Sequence, residues 1–147
     1  MDETKTLILT VGLPRSGKST WARQQGHPIV NPDSIRLALH GRPFIAEAES
    51  FVWAIAKTMV RALFSAGHNT VIVDATNTTR KRRDEWKSVA AVRKCKMFLC
   101  DTGQAKQRAA EQYPADQACR EGLLAAIDRM AAEFEPPSPD EGMEFLV

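Results

Sequence analysis

The chain has few cysteines, and none of them is spaced for a metal site or a disulfide framework. Cys95, Cys100 and Cys119 are the only three in 147 residues, and neither a C-x-x-C pair nor a histidine-rich stretch accompanies them. An odd number without such spacing argues against a disulfide-stabilised secreted fold and against a structural zinc site. We therefore expect a protein of a reducing, cytoplasmic compartment.

The chain also lacks an excess of one charge and a long apolar run. Acidic and basic residues number 18 and 20, which leaves a net charge of only +2. A domain that coats duplex DNA is usually more basic, but this balance excludes neither nucleic acid nor small metabolites as partners. No apolar stretch approaches the length of a membrane span, and the first residues do not resemble a signal peptide, so we expect no membrane partner.

Strand and helix patterns alternate along the chain. The apolar runs over residues 6–11 and 70–74 are typical of strands buried on both faces of a parallel sheet. Shorter strands are expected over residues 28–30, 96–100 and 143–147, and helices over residues 19–25, 34–40, 46–66, 79–92, 104–112 and 115–134. We predict a single α/β domain over residues 1–147, built on a doubly wound parallel sheet of about five strands.

The first strand runs directly into a phosphate-binding sequence. Residues 12–19 fit the pattern GxxxxGK[ST], and a helix is predicted immediately after them. The two glycines let the backbone turn its N–H groups around a phosphate, Lys18 can reach the β- and γ-phosphates, and the Ser19 hydroxyl can ligate magnesium. The pattern predicts ATP and Mg²⁺ as cofactors, in a site formed by Gly12, Leu13, Pro14, Arg15, Ser16, Gly17, Lys18, Ser19 and Thr20.

Further segments distinguish among the classes of P-loop protein. The chain has no Asn-Lys-x-Asp segment of a Ras-like GTPase and is short for a motor or helicase, so a small kinase remains. Such an enzyme must orient or deprotonate the acceptor hydroxyl. Asp33 could accept that proton, and Arg36, three residues later, could contact a phosphate. The residues alone leave open that Asp33 only caps a helix and that Arg36 only faces solvent.

An acidic residue closes the strand over residues 70–74. Asp74 has the position of a Walker B acid and could hold magnesium together with Ser19, directly or through water. The alternative is an ordinary carboxylate at a strand end. The functional interpretation is favoured because this strand and the phosphate loop reach the same edge of the sheet.

Three segments of the chain form a combined pattern: the extended loop over residues 12–22, Asn-Pro-Asp-Ser-Ile-Arg over residues 31–36, and Val-Asp-Ala-Thr-Asn over residues 73–77, followed by Arg82, Arg83 and Trp86. Together they resemble the P-loop polynucleotide 5′-hydroxyl kinase family, which includes the kinase domain of bacteriophage polynucleotide kinase and related end-healing enzymes. The tail over residues 135–142 also looks like the end of this kinase module.

The resemblance implies an adenylate-kinase-like fold with a small helical lid. It implies that Lys18 and Ser19 hold ATP and magnesium, and that Asp33 is the general base. Arg36 would contact the acceptor and the transition state, and Thr76 and Asn77 would lie close to the acceptor.

The chain departs from the family in two places. The family's acid directly precedes Thr-Asn, whereas here Ala75 has that position and Asp74 lies one residue earlier. For the lid arginines the chain offers Arg108 and Arg120 as nucleotide contacts, but the family's Arg-Arg-Asn cluster is replaced by Ala-Ala-Glu. No Asp-x-Asp-x-Thr motif occurs, so the 3′-phosphatase activity of several relatives is not expected.

We therefore predict an ATP-dependent kinase whose acceptor is the 5′-hydroxyl of single-stranded or end-exposed DNA or RNA. The basic stretch over residues 80–83 could contact backbone phosphates, although such a charge run is more often a solvated helix face. A kinase of a small molecule, a nucleoside or a modified DNA base is the first alternative. A nucleotide-binding regulatory module with little turnover is the second, against which the presence of Lys18, Ser19 and Asp33 together argues.

Overall fold

The computed structural model describes residues 4–41 and 44–147. Within them, five parallel strands form one sheet in the order β2-β3-β1-β4-β5. The strands are β1 (Thr6–Val11), β2 (Ile29–Val30), β3 (Thr70–Val73), β4 (Val92–Met97) and β5 (Glu144–Leu146). The helices are α1 (Lys18–Gln24), α2 (Pro32–His40), α3 (Glu49–Ser65), α4 (Arg80–Asp84), α5 (Thr102–Gln112) and α6 (Gln117–Glu133).

Helices cover both faces of the sheet. Successive side chains of a strand point to opposite faces, so Leu7 and Leu9 of β1 join the apolar cluster that contains Val52 of α3, whereas Ile8 packs with Ala22 of α1. Burial on both faces explains why residues 7–9 of β1 are apolar without alternation. The prediction of a doubly wound parallel α/β sheet of about five strands is confirmed.

The two helices α5 and α6 pack on each other beside the phosphate loop. Ala105 and Ala109 of α5 and Ile127 of α6 form a third buried cluster, against which Leu13 of the loop also packs. These helices occupy the place that the resemblance assigns to a small helical lid.

The prediction of a helix over residues 79–92 is wrong for the second half of that range. Helix α4 ends at Asp84, a 3-10 turn covers residues 85–88, and β4 already begins at Val92. The pattern misled because Arg93 and Lys94 make this strand look polar, yet Arg93 is buried and donates a hydrogen bond to the Glu141 carbonyl oxygen at 3.3 Å. The expected strand over residues 96–100 therefore lies too late in the sequence.

No helix within residues 4–41 and 44–147 is long and apolar enough to cross a bilayer.

Trp86 is the largest fully buried side chain, at 0 % exposure, and its ring packs edge-to-face on Trp53 of α3. We expect Trp86→Ala to lower the free energy of unfolding by about 3–5 kcal/mol, because it removes a large apolar side chain and leaves a cavity. Urea denaturation measures this change. The matched control is Phe51→Ala at a 66 % exposed position, and an equal loss in both variants would contradict the assignment of Trp86 to the core.

Candidate active site

The phosphate loop joins β1 to α1 and has a backbone that only small or strained residues allow. A Cβ atom at Gly12 would lie 2.9 Å from the Phe98 carbonyl oxygen, closer than real contacts of this kind. Gly17 has a φ of +100°, and Arg15 has a positive φ of 64° although it carries a side chain. Such left-handed residues turn consecutive N–H groups toward one point, which is the geometry that cradles a phosphate.

Lys18 lies folded inside this loop. Its side chain is 7 % exposed, and its Nζ donates to the Leu13 carbonyl oxygen at 2.6 Å and to Ser16 Oγ at 3.3 Å. Burial lowers the pKa of Lys18 to about 8, against the opposing effect of the negative charges of Asp74 and Asp33. The ammonium group therefore lies inside the loop, bonded to the loop's own oxygen atoms.

The Asp74 carboxylate connects the loop to β3 and to α2. Asp74 Oδ2 accepts hydrogen bonds from Ser19 Oγ at 2.6 Å and from Asn31 Nδ2 at 3.0 Å. The Asn31 Oδ1 atom in turn accepts from the Ser34 N–H group at 3.2 Å and so caps α2. Sequence reasoning missed this role of Asn31; its only signal was an Asx residue placed before Pro32.

The side chains of Ser19 and Asp74 fit a magnesium ion. They bring a hydroxyl and a carboxylate oxygen together at 2.6 Å, and Mg²⁺ is commonly held by one or two such protein oxygens together with substrate phosphates. No group of three or more His, Cys, Asp or Glu side chains suited to a metal occurs among residues 4–41 and 44–147.

Asp33 and Arg36 form an ion pair on the first turn of α2. Arg36 Nη1 lies 2.6 Å from Asp33 Oδ1, and the Asp33 side chain is 77 % exposed. The alternative in which Asp33 caps this helix is wrong, because Asn31 is the capping residue.

Glu49 holds the other side of the Arg36 guanidinium. Arg36 Nε and Nη2 donate to the two Glu49 carboxylate oxygens at 2.9 and 2.7 Å. Burial alone would lower the pKa of Arg36, but Glu49 and Asp33 outweigh it and raise that pKa. The alternative in which Arg36 only faces solvent is therefore wrong too. The sequence held no signal for Glu49, since an acid in the first turn of a helix is ordinary.

The basic stretch over residues 80–83 divides into different environments. Arg83 is buried on Glu141, and Arg80 pairs with the exposed Asp140 at 2.9 Å. The Arg82 guanidinium lies 3.8 Å from the centre of the Trp53 ring, and the Arg36 guanidinium lies 5.9 Å from the same ring. Arg82 therefore belongs to the surroundings of Arg36, which a charge pattern could not show.

The segment after Asp74 is fixed against β1. Asn77 is 1 % exposed, has a φ of +44°, and donates from Nδ2 to the Thr10 carbonyl oxygen at 2.9 Å. The Thr76 carbonyl oxygen accepts from the Gly12 N–H group at 3.0 Å. The structure thus brings both residues beside the phosphate loop and turns the Asn77 side chain toward the protein.

The two predicted lid arginines lie in different places. Arg108 of α5 donates to the Arg15 carbonyl oxygen at 2.9 Å, so it lies on the phosphate loop. Arg120 of α6 donates to the carbonyl oxygens of Tyr113 and Pro114, both at 3.0 Å, so it fixes the connection between α5 and α6. Among the loop positions, the Arg15 and Thr20 side chains are exposed, whereas Leu13, Pro14 and Ser16 are partly buried.

An open pocket of about 500 Å³ begins at Asn31 and Asp74. It continues along β2 between α1, α2 and α3, and most of its wall is apolar. Its lining residues are Arg23, Ile29, Asn31, Ser34, Ile35, Ala38, Leu39, Ile55, Met59 and Asp74.

Comparison with protein families identifies this architecture. The model of the AAA_33 family, described as an AAA domain, matches residues 7–137, which include the phosphate loop, Asp33, Arg36 and Asp74. The chain belongs to the AAA_33 family. A comparison with curated proteins gives no match.

Solved structures with the same fold as this AAA_33 chain include kinases. A chain of the Pnkp1/Rnl/Hen1 complex is 26 % identical with a TM-score of 0.64, covering 74 % of this chain and 40 % of its own length. A chain of the Pnkp1/Rnl/Hen1 RNA repair complex is 20 % identical with a TM-score of 0.65, covering 92 % and 48 %. A sugar kinase of Janibacter sp. HTCC2649 is 19 % identical with a TM-score of 0.66, covering 98 % and 84 %.

The AAA_33 chain spans less than half the length of the Pnkp1 complex chains that it matches. The resemblance to the polynucleotide kinase family, predicted from motifs, is confirmed. The P-loop kinase fold supports nucleotide binding and phosphotransferase activity, and its neighbours include a chain of an RNA repair complex and a sugar kinase.

The depressed pKa of Lys18 predicts a pH-dependent affinity for ATP. Below pH 8 the Lys18 amine of the free protein is protonated. Above pH 8 it is neutral, and it must take up a proton when ATP binds, because the phosphates favour its charged form. We expect the dissociation constant of ATP to be about tenfold larger at pH 9 than at pH 7, measured by calorimetry.

Lys18→Met is the control for this measurement, because methionine is an unbranched side chain one atom shorter than lysine and has no proton to titrate. The dissociation constant of ATP should be larger for this variant than for the wild type, and it should be the same at pH 7 and at pH 9. An affinity of the wild-type protein that does not change with pH would contradict the role of Lys18.

Proposed function

We propose that this protein transfers the γ-phosphate of ATP to a hydroxyl acceptor, in the first place the 5′-hydroxyl end of DNA or RNA. One arrangement carries the proposal: an exposed carboxylate, Asp33, lies two residues from Asn31, which binds the Asp74 carboxylate beside Ser19. The groups suited to a proton acceptor and to a metal ligand thus lie on one short segment at the phosphate loop.

The proposed reaction has one bond-forming step. Asp33 accepts the proton of the acceptor hydroxyl, whose oxygen bonds to the γ-phosphorus while the bond to the β–γ bridging oxygen breaks and ADP leaves. Arg36, held by Glu49, and Lys18 stabilise the negative charge on the transferring group. Mg²⁺ bound at Ser19 and Asp74 would neutralise charge on the β- and γ-phosphates.

A nucleic acid end as acceptor is supported by the cations around Trp53. Arg82 lies over that ring next to Arg36 and also pairs with Glu85 at 2.9 Å, and Lys81 is exposed on the same short helix. Such cations can contact backbone phosphates of an acceptor strand. The likeness to chains of the Pnkp1 complexes also favours a nucleic acid acceptor.

A small hydroxyl compound is the second candidate acceptor. The pocket of about 500 Å³ that begins at Asn31 and Asp74 has a volume suited to a small molecule. A likeness in fold to a sugar kinase accompanies it.

The central test is phosphate transfer from γ-labelled ATP to a 5′-hydroxyl oligonucleotide, with nucleosides and sugars as parallel acceptors. We expect transfer to the oligonucleotide, and a rate about 10²–10⁴-fold lower in Asp33→Asn because the general base is lost. Since Asp33 is 77 % exposed, its replacement should change the free energy of unfolding by less than about 1 kcal/mol.

Glu47→Gln, an exposed acid in the turn before α3, serves as the matched control and should keep full activity. Transfer to a nucleoside or sugar alone would favour the second candidate. If the wild-type protein phosphorylates no acceptor faster than Asp33→Asn does, the proposal that the protein is a kinase is wrong.

Glu49→Gln tests how Arg36 is held. The neutral amide cannot pair with both guanidinium nitrogens as the carboxylate does, so Arg36 loses its fixed orientation. We expect the maximal transfer rate to fall about tenfold, with the affinity for ATP within about twofold of the wild type. An unchanged rate, measured beside the Glu47→Gln control, would show that Arg36 needs no support from Glu49.

A further inference from the structure

Arg83 and Glu141 form a buried ion pair between α4 and the tail of the chain. Both side chains are 1 % exposed, and Arg83 Nε and Nη2 contact the two Glu141 carboxylate oxygens at 2.7 and 3.2 Å. Glu141 Oε2 also accepts the Ser138 N–H group at 2.7 Å, which fixes the turn before β5. Buried ion pairs of this kind can often be replaced by neutral residues without loss of stability, so stability alone does not account for it.

The third arm of the Arg83 guanidinium contacts a segment of the candidate active site. Arg83 Nη1 donates to the Asn77 carbonyl oxygen at 2.9 Å. The tail contacts the same segment a second time, because the Glu135 N–H group donates to the Thr78 carbonyl oxygen at 2.9 Å. Asn77 has a φ of +44°, in the left-handed region that is uncommon for residues other than glycine and that asparagine adopts more readily than most.

This segment contacts the phosphate loop on its other side. The Gly12 N–H group donates to the Thr76 carbonyl oxygen at 3.0 Å, and the Thr10 hydroxyl donates to the Ala75 carbonyl oxygen at 2.7 Å. The segment follows Asp74 directly in the chain. Any displacement of Asn77 would therefore also displace Gly12, at the start of the phosphate loop, and Asp74, whose carboxylate binds Ser19.

We propose that Arg83, oriented by Glu141, is a positioning residue that fixes the segment of residues 75–78 against the phosphate loop and so sets the rate of phosphate transfer. The proposal rests on the proposed function. Arg83 is buried, and its hydrogen bonds within residues 4–41 and 44–147 go to Glu141 and to the Asn77 carbonyl oxygen, not to a group assigned to the reaction. Its effect on the site therefore passes through Asn77.

The neighbouring pair Arg80–Asp140 provides a matched control. It joins the same helix to the same tail at 2.9 Å, but Asp140 is 69 % exposed, and the pair makes no contact with residues 75–78 among its hydrogen bonds in the described parts of the chain. Attachment of the tail and positioning of the segment can therefore be separated by changing one pair at a time.

The experiment compares the double variant Arg83→Met/Glu141→Gln with Asp140→Asn and the wild type. Replacing both buried charges together leaves neither unpaired, so we expect the thermal midpoint to stay within about 5 °C of the wild type. We expect the maximal transfer rate to an oligonucleotide to fall about tenfold, while the dissociation constant of ATP changes less than about twofold. Asp140→Asn should match the wild type in both quantities.

Backbone amide exchange gives a readout that does not depend on any acceptor. In the substrate-free double variant we expect the amides of residues 75–78 to exchange at least about tenfold faster than in Asp140→Asn, with β1 unchanged. If the wild type phosphorylates no acceptor, the proposed function fails, and the exchange rates still decide the positioning role.

A folded double variant with wild-type transfer rate and wild-type exchange would overturn the proposal. If the double variant does not fold, Arg83→Lys replaces it, because a single ammonium group cannot reach both Glu141 and the Asn77 carbonyl oxygen as the guanidinium fork does. Faster exchange at residues 75–78 in Arg83→Lys supports the proposal, and wild-type exchange rejects it.

Discussion

The hydrogen bonds to the Asp74 carboxylate are the interactions on which the site depends. One oxygen atom, Oδ2, accepts from Ser19 of the phosphate loop and from Asn31 before α2. Asp74 is 5 % exposed, and burying a carboxylate is costly unless donors bind its oxygen atoms. The phosphate loop, the end of β3 and the segment that carries Asp33 and Arg36 are therefore held in one arrangement before any ligand binds.

Local patterns in the sequence were enough to predict β1, the phosphate loop and the order of strands and helices. Uniform apolarity marks a strand buried on both faces, and glycines at two fixed positions mark a backbone that wraps an anion. Both signals depend on neighbouring residues alone. The boundary between α4 and β4 was not predictable in this way, because Arg93 lies in a buried strand and its hydrogen-bond partner is a distant carbonyl group.

The candidate site likewise consists of residues that a local pattern predicts and residues that are brought together only by the fold. Asp33 and Arg36 are three residues apart, so a motif could propose them as a pair, and the structure places them in contact. Glu49 and Trp53 act on Arg36 from another helix, and the sequence offers no spacing that connects them. The role of Asn31 was not predictable from local patterns, since its one side chain accepts from the Ser34 N–H group and donates to the Asp74 carboxylate, which is distant in sequence.

The distance along the chain between Arg83 and Glu141 has a consequence for synthesis. The two residues are 58 positions apart, and the strand β5 that follows Glu141 pairs in parallel with β4. During synthesis the N-terminal part of the sheet leaves the ribosome first. Arg83, which is buried in the folded protein, then lacks the carboxylate of Glu141. We expect the nascent chain to complete this fold only after residue 141 has left the exit tunnel, because the buried Arg83 side chain has its carboxylate partner only then.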